Sequence, residues 1–169
     1  MPETKDLILR KAVQSDWEPM YRNIWSHEES AKYMTWNVTT SEEDAKSRME
    51  RTIRFEAEHP YCWIVVEKES REAIGFAGME EIEPRVWEES GIAIGPAFTG
   101  KGYGKQILAA LVESAQKKGG KKFLAAHRIE NLSSMKMQRS CGFHPAFQKD
   151  CVDPRDGKPY ILQYNELIL

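Results

Sequence analysis

The sequence predicts a mixed α/β (α+β) fold, in which helices cover the faces of a central twisted sheet of about seven strands. Short apolar runs rich in β-branched and aromatic residues indicate the strands, and apolar residues at helical spacing indicate four helices between them. The chain of 169 residues has the size of one domain, and no repeat or Pro/Gly-rich linker divides it. We therefore expect residues 1–169 to form a single domain.

The first third of the chain is predicted to contain one strand, at residues 7–12, and two helices. The apolar stripe of the first helix consists of Trp17, Met20, Tyr21, Ile24 and Trp25. Asp16 is well placed to cap this helix. Thr40 and Glu43 have the spacing of a capping box, which predicts that the second helix begins there. Pro60 is expected to end it.

Three strands are predicted to follow, at residues 61–67, 73–82 and 86–94, because these runs are rich in β-branched and aromatic side chains. The last two flank the turn Glu83-Pro84-Arg85. Such a short connection between two strands predicts an antiparallel hairpin.

A glycine-rich loop and a third helix come after the hairpin. The buried stripe of this helix consists of Ile107, Leu108, Leu111, Val112 and Ala115. Gly119 and Gly120 are expected to end it. A strand, a helix and two further strands are predicted at residues 122–126, 131–141, 143–152 and 160–169. The strand, loop, helix and strand between residues 86 and 126 predict a right-handed parallel crossover.

Composition and charge argue against several classes of protein. The net charge of −2 offers no basic excess for nucleic acid, and no apolar run approaches the roughly 20 residues that span a bilayer. The N-terminus lacks the apolar segment of a secretory signal. The three cysteines and four histidines show no metal-binding spacing. We expect a cytoplasmic protein with reduced thiols, no metal, and neither nucleic acid nor a membrane as partner.

The loop at residues 96–105 is the segment most informative about function. Gly100, Gly102 and Gly104 alternate just before a helix, an arrangement that directs several backbone N–H groups and the positive end of the helix dipole at one point. Such a nest binds phosphate groups. The P-loop pattern is excluded because Gln106 stands where it needs Ser or Thr. By itself the loop also fits a plain turn between a strand and a helix.

Two motifs in order make the resemblance to a known family specific. Residues 89–104 (ESGIAIGPAFTGKGYG) closely resemble motif A of the GNAT superfamily of acyl-CoA N-acyltransferases. Asn131-x-x-Ser134 and the later Gly142-Phe143 resemble the family's following helix. Residues 7–17 are similar to its first strand and helix, so the resemblance covers essentially the whole chain. It is closest to the branch that includes the ribosomal-protein N-terminal acetyltransferases.

The resemblance implies a GNAT-like fold and acetyl-CoA as co-substrate, with no metal. The pyrophosphate of acetyl-CoA would contact the backbone amides of Thr99, Gly100, Lys101, Gly102, Tyr103, Gly104 and Lys105. Lys101 and Lys105 would add charge at the rim of this nest. The pantetheine arm would pair with the strand edge formed by Ile92, Ala93 and Ile94. Asn131 and Ser134 would contact this arm or hold waters near it. The implied reaction is direct acetyl transfer to a primary amine of a protein N-terminus or a small molecule.

Two positions depart from the family's pattern. Thr99 stands where Arg or Gln is usual, which removes a side-chain contact but keeps the backbone donors. Gln138 stands where many members have a tyrosine that protonates the leaving thiolate, and an amide cannot supply that proton. Gln138 therefore keeps a second interpretation open, a non-catalytic module that binds or senses acyl-CoA.

Glu89 is the candidate general base, because it precedes the acyl-CoA strand and matches a glutamate common at this place in the family. The alternative is an ordinary solvated carboxylate. His127 is a weaker candidate base that also fits a hydrogen-bonded structural histidine. Tyr33, Met34 and Trp36 follow the first helix, where they could belong to the acceptor pocket or to the core. The long C-terminal strands suggest a homodimer.

Overall fold

Seven strands form one mixed sheet in the computed structural model, which describes residues 1–169. The strands are β1 (Leu7–Arg10), β2 (Cys62–Glu67), β3 (Ala73–Glu83), β4 (Val86–Ile94), β5 (Lys122–Arg128), β6 (His144–Val152) and β7 (Pro159–Ile168). Their order across the sheet is β1-β2-β3-β4-β5-β7-β6. Only β4 and β5 are parallel neighbours, as the predicted crossover requires. The predicted seven-stranded mixed sheet is therefore confirmed.

Five helices connect the strands. They are α1 (Trp17–Met20), α2 (Glu28–Ala31), α3 (Glu42–Glu58), α4 (Tyr103–Lys117) and α5 (Leu132–Ser140). The chain continues from α1 into a π-helical turn at Tyr21–Trp25. The sequence predicted four helices, because a single turn such as α2 is too short to show helical periodicity. No helix has the length and apolar character that crossing a membrane requires.

The sheet separates two hydrophobic cores, since neighbouring residues of a strand face opposite sides. On β2, Val65 packs into the core beneath α4, while Ile64 packs into the core beneath α1 and α3. The predicted stripe of α4 supplies Ile107 and Leu111 to the first core, and both are fully buried. Each such side chain contributes about 1.5–3 kcal/mol by leaving water. Two cores of this kind hold the sheet rigid between its helix layers.

Two predicted helix caps differ from the structure. Asp16 occupies the N-cap position of α1, but its carboxylate accepts hydrogen bonds from Arg10, at 2.7 Å, and from the N–H of Val13, at 2.9 Å, and none from α1. The N-cap of α3 is Ser41, whose hydroxyl accepts the N–H of Asp44. The capping-box pattern at Thr40 placed this start one residue too early, because both residue types suit a cap.

β4 and β5 pair only over their first three residues, Val86 to Glu88 opposite Lys122 to Leu124. Beyond these pairs the two parallel strands diverge, and residues 89–94 of β4 have no strand partner on that side. A β-bulge near Ser90, opposite the junction of Gly78 and Met79, adds to the local bend. The divergence leaves an exposed backbone edge in the middle of the sheet, next to the loop that begins α4.

Candidate active site

The loop between β4 and α4 forms a nest of unpaired backbone donors. Gly100 and Gly102 have φ angles of 79° and 78°, the left-handed region that glycine adopts without strain. Gly102 is the N-cap of α4. The N–H groups of residues 100–105 donate to no acceptor within the protein. They lie at the positive end of a helix of 15 residues, an arrangement that suits an anion.

A cavity of about 410 Å³, here called the loop cavity, joins this nest to the exposed edge of β4. It brings together eleven of the residues expected to bind the cofactor: Ile92, Ala93, Ile94, Thr99, Gly100, Gly102, Tyr103, Gly104, Lys105, Asn131 and Ser134. Tyr33 and Met34 also line it. The segment after the first helix therefore forms part of a cavity wall rather than part of the core alone.

Lys101 is the loop residue that the structure does not bring into this cavity. Its ammonium group lies 3.1 Å from a carboxylate oxygen of Glu67 and over the rings of Phe98 and Tyr103. Of the two lysines expected at the rim, only Lys105 lines the cavity. The charge of Lys101 fixes the loop to β2 instead of facing a ligand.

Glu67 anchors the loop from the end of β2. The hydroxyl of Tyr103 donates to its carboxylate at 2.6 Å, and only 3% of Glu67 is exposed. Burial alone would raise the pKa of Glu67, but hydrogen bonds from Tyr103, Ser70 and Lys101 outweigh it and lower this pKa. The same contact raises the pKa of Tyr103 to about 12. The sequence did not identify Glu67, because 36 residues separate it from Tyr103.

Gln138 organises the wall of the cavity from α5. Its Nε2 donates to the hydroxyl of Ser134, at 3.2 Å, and to the carbonyl of Ala126, at 3.1 Å. Its Oε1 accepts from Nδ2 of Asn165, at 2.6 Å. Because the Ser134 oxygen accepts this bond, its own proton can point into the cavity. Asn131 caps α5 by accepting the N–H of Ser134.

His127 belongs to the same buried network. Its Nδ1 lies 3.2 Å from both Oε1 of Gln138 and Nδ2 of Asn165. Only 6% of His127 is exposed, and it lines neither this cavity nor the one described next. These contacts match the hydrogen-bonded structural histidine that the sequence left open.

A second cavity, of about 620 Å³, lies on the opposite face of the sheet between α3 and strands β2, β3 and β4, and is here called the α3 cavity. Its lining includes Trp25, Trp36, Arg48 and Glu56. It also reaches Gly91 on β4, while the next residue lines the loop cavity. The two cavities therefore meet at the backbone of β4. The sequence did not reveal Arg48 or Glu56, because α3 is polar along most of its length.

Glu89 lies one residue past the last pair of β4 with β5, where the strands diverge. It is half-buried, and its carboxylate accepts the N–H of Gly91. Burial, reinforced by the neighbouring charge of Glu88, raises the pKa of Glu89 to about 7. The side chain lines neither large cavity, although Ser90 and Gly91 beside it line the α3 cavity. A carboxyl group with this pKa exchanges protons readily at neutral pH.

The chain can be compared with known protein families and with solved structures. Residues 6–144 match the family described as acetyltransferase (GNAT) domain, which is most of the chain. The chain belongs to the GNAT acetyltransferase family. It is an acetyl-CoA-dependent acetyltransferase, as the two sequence motifs implied.

Relatives of this GNAT protein are similar along nearly their whole length. An L-methionine sulfoximine/L-methionine sulfone acetyltransferase of Salmonella typhimurium is 24% identical over 151 residues, which cover 86% of this chain and 85% of that protein. A GNAT acetyltransferase structure from Bacillus anthracis has a TM-score of 0.82 at 19% identity, covering 99% of this chain and 97% of that one. A ribosomal L7/L12 alpha-N-protein acetyltransferase, solved with coenzyme A, has a TM-score of 0.79 at 20% identity, with the same two coverages. The predicted GNAT fold is confirmed, and the ribosomal branch is among its structural neighbours.

An ionic cluster fixes the segment that this GNAT protein places between its two cavities. The buried carboxylate of Asp153, in the β6–β7 turn, binds Arg128 and Arg155, each at 2.8 Å. Arg155 donates to the carbonyls of Ala31 and Trp36. Arg128 donates to the carbonyl of Met34. The turn near the C-terminus thereby holds the walls of both cavities in place.

The acidic residues of the β3–β4 hairpin divide into two groups. Glu80, Glu81 and Glu83 are exposed, as expected of a solvated surface. Glu88 is half-buried, and burial raises its pKa even though the hydroxyl of Tyr164 donates to it. No group of three His, Cys, Asp or Glu side chains is arranged to hold a metal ion.

Proposed function

We propose that this acetyltransferase transfers the acetyl group of acetyl-CoA directly to a primary amine, of a protein N-terminus or of a small molecule. The observation that carries the proposal is the set of unpaired N–H groups at residues 100–105, all of which except Lys101 line a cavity that continues along the unpaired edge of β4. The relatives support both kinds of acceptor, since one is named for amino-acid derivatives and another for a protein α-amine.

The main chain supplies most of the binding. The amides of residues 100–105 would neutralise the pyrophosphate of acetyl-CoA. The open edge of β4 at residues 92–94 would pair with the pantetheine arm like an added strand. A backbone N–H on this edge would also stabilise the oxyanion that forms when the amine attacks the thioester carbon. This assignment explains why an irregular, unpaired edge is kept in the centre of the sheet.

Two side chains would handle the protons. The attacking amine must be neutral, although an α-amine has a pKa of about 7.7–8.0 and a lysine amine about 10.4. Glu89, with its pKa near 7, would take the proton that the nitrogen loses, directly or through a water. The thiolate of coenzyme A leaves as the C–S bond breaks. Ser134, oriented by Gln138, would donate a hydrogen bond to that sulfur in place of the absent tyrosine.

Binding and turnover can be tested separately. Acetyl-CoA at a hundred times its Kd should stabilise the folded protein by about 2.7 kcal/mol, which a thermal-shift series measures. Thiol release with peptide α-amines, lysine peptides and small amines would then show turnover. Absence of stabilisation by millimolar acetyl-CoA would contradict the proposed binding site.

The sequence left open a non-catalytic acyl-CoA sensor, because the amide of Gln138 is not acidic enough to protonate the leaving thiolate and donates to Ala126 and Ser134 instead. Stabilisation by acetyl-CoA without thiol release from any amine would support this alternative. Transfer to even one amine at a rate above the uncatalysed reaction would contradict it.

Homodimer formation and a cytoplasmic location stay predictions. The edge strand β6 offers unpaired backbone and mostly exposed side chains, which is a surface that a second copy could extend. Light scattering coupled to size-exclusion chromatography would distinguish one copy from two.

A further inference from the structure

Arg48 is a half-buried arginine with no acidic partner. Its guanidinium carbon lies 4.6 Å from the ring centre of Trp25 and 4.5 Å from that of Trp36. Only Nη1 is hydrogen-bonded, to the hydroxyl of Thr39 at 3.0 Å and at longer range to the carbonyl of Asn37 at 3.4 Å. The donors on Nε and Nη2 have no acceptor within the protein. A guanidinium partly removed from water normally has an anion as partner.

The other charged residues of the α3 cavity do not neutralise Arg48. Asp44 lies one turn earlier on α3 but forms no ion pair with it, and Arg51 adds a second positive charge. Glu56 accepts the N–H of Ala12 at 2.7 Å. Burial raises the pKa of Glu56 to about 7, so this carboxyl is partly neutral at physiological pH. The cavity therefore has a positive site that an anionic ligand group would complete.

Gly78, Ser90 and Gly91 also line the α3 cavity. Gly91 adjoins Ile92, which lines the loop cavity. Half of the residues that line this cavity are hydrophobic, Met20 and Phe76 among them. A molecule that fills this cavity would therefore contact both Arg48 and the backbone of β4 at Gly91.

We propose that the α3 cavity binds the acceptor, and that Arg48 binds a carboxylate which this acceptor carries in addition to its amine. A carboxylate is planar and presents two oxygens, which matches the remaining donors of a guanidinium whose faces contact indole rings. The acceptor class is therefore a small amino acid or related amino-carboxylic acid with an apolar body. The inference rests on the proposed function, because the amine must reach the thioester at β4.

The test compares amino acids with their carboxamides. L-leucine, L-phenylalanine and 6-aminohexanoate, each beside its carboxamide, are assayed by thiol release with acetyl-CoA and by calorimetric binding with saturating coenzyme A. The wild-type protein should favour the carboxylates about 10- to 100-fold in kcat/KM or Kd, the size of one charged hydrogen-bonded pair. R48Q should lose this preference while keeping the carboxamide values and the KM for acetyl-CoA. R48K, which keeps the charge without the planar fork, should recover part of it.

Arg54→Gln is the matched control, because Arg54 is exposed on the same helix and does not line the cavity. It should leave the carboxylate preference unchanged. Equal kcat/KM and Kd values of the wild-type protein for carboxylates and carboxamides would overturn the inference. A preference for carboxylates that survives in R48Q would also overturn it. Acetylation of peptide N-termini alone would also overturn it while leaving the proposed function intact. If no amine is acetylated, the proposed function fails, and the binding series still decides the role of Arg48.

Discussion

Three buried or half-buried glutamates near the two cavities have different surroundings, and these decide their charge. Burial raises the pKa of Glu56 and of Glu89 to about 7, since each has few donors around it. Glu67 is at least as buried, yet its pKa is lowered because Tyr103, Ser70 and Lys101 donate to it. Glu67 is therefore suited to anchoring the loop as a fixed anion. Glu89 is suited to taking and releasing a proton.

We expect Glu89→Gln to lower kcat/KM for the acceptor about 10²- to 10⁴-fold, the usual size of a general-base contribution. In the wild-type protein kcat/KM should rise with pH through about 7, because Glu89 becomes a base only when ionised. The variant should lose that limb of the pH profile. An unchanged rate and profile would exclude Glu89 as the base.

Stability provides the control for Glu89→Gln. The folded-state pKa of Glu89 lies above its ordinary value of 4.5, so its contribution to stability is complete below that value and is lost as the pH rises through about 7. Glutamine does not ionise, and the variant should be as stable as the wild type or more so at pH 8. A loss of activity at that pH would then not be due to unfolding.

Glu67→Gln should raise the KM for acetyl-CoA about threefold to tenfold with little change in kcat, because a loosened loop weakens binding of substrate and transition state alike. The lowered pKa of Glu67 means that its contribution to stability is present above its ordinary value of 4.5 and is lost as the pH falls. Glu69→Gln, at an exposed neighbouring position, is the control and should change neither the KM for acetyl-CoA nor the stability. A rise in KM of equal size in both variants would refute the anchoring role.

At the scale of elements, the site depends on how a strand ends and a helix begins. β4 loses its partner after Glu88, which exposes the edge that would bind pantetheine. α4 begins with Gly102 in the left-handed region, which leaves the first N–H groups of the helix unpaired. Both features come from backbone conformation rather than from side chains. The presence of Thr99 where the family usually has Arg or Gln therefore removes little of the predicted acetyl-CoA binding.

Gly102→Ala tests the nest. No atom lies within 4 Å of a Cβ built at this position, so the substitution fits sterically but strains a backbone at φ 78° by roughly 1–2 kcal/mol. We expect the Kd for acetyl-CoA, measured by calorimetry, to rise about tenfold or more, because the methyl group would occupy the space that a phosphate approaches.

Gly157→Ala is the control for the nest. Gly157, in the β6–β7 turn, has a φ of 72° and equally open surroundings. This variant should lose similar stability and keep the wild-type Kd. Weakened acetyl-CoA binding in both variants would show that general destabilisation, not the nest, is responsible.

At the scale of the whole molecule, the Asp153 cluster joins the C-terminal hairpin to the segment at residues 31–36. That segment carries residues of both cavities, so the two binding sites share one wall. Trp36 Nε1 and Ser30 Oγ in or beside this segment are buried without a hydrogen-bond partner. Core packing therefore leaves two polar atoms in or beside this segment without hydrogen bonds, and the contacts of Arg128 and Arg155 hold its backbone in place.

Asp153→Asn should lower the thermal stability and raise the KM for the acceptor more than it changes kcat. Hydrogen bonds from Arg155 and Arg128 hold the pKa of Asp153 well below its ordinary value of 3.8. Its contribution to stability is therefore present above that value and is lost as the pH falls below it. The variant should show a weaker loss of stability in acid than the wild type. Asp156→Asn, at an exposed position of the same turn, should resemble the wild type.

The sequence alone was sufficient to predict the seven strands, the parallel crossover, the glycine nest and the family. These features follow from local rules, namely apolar periodicity, glycine conformation and motif spacing, which need no knowledge of distant residues. The one-residue error at Thr40 and the missed turn α2 mark the limit of such rules, because helix ends carry little periodic signal.

Only the tertiary structure decided which side chains meet. It turned Lys101 toward Glu67, placed Gln138 behind Ser134, and left Arg48 without an anion in the α3 cavity. Each of these outcomes depends on contacts between elements far apart in the chain, where no spacing rule applies. The charge, burial and partner of a side chain are properties of the folded sheet and its helices. For that reason the sequence was sufficient to propose where acetyl-CoA binds, and the fold was needed to propose what receives the acetyl group.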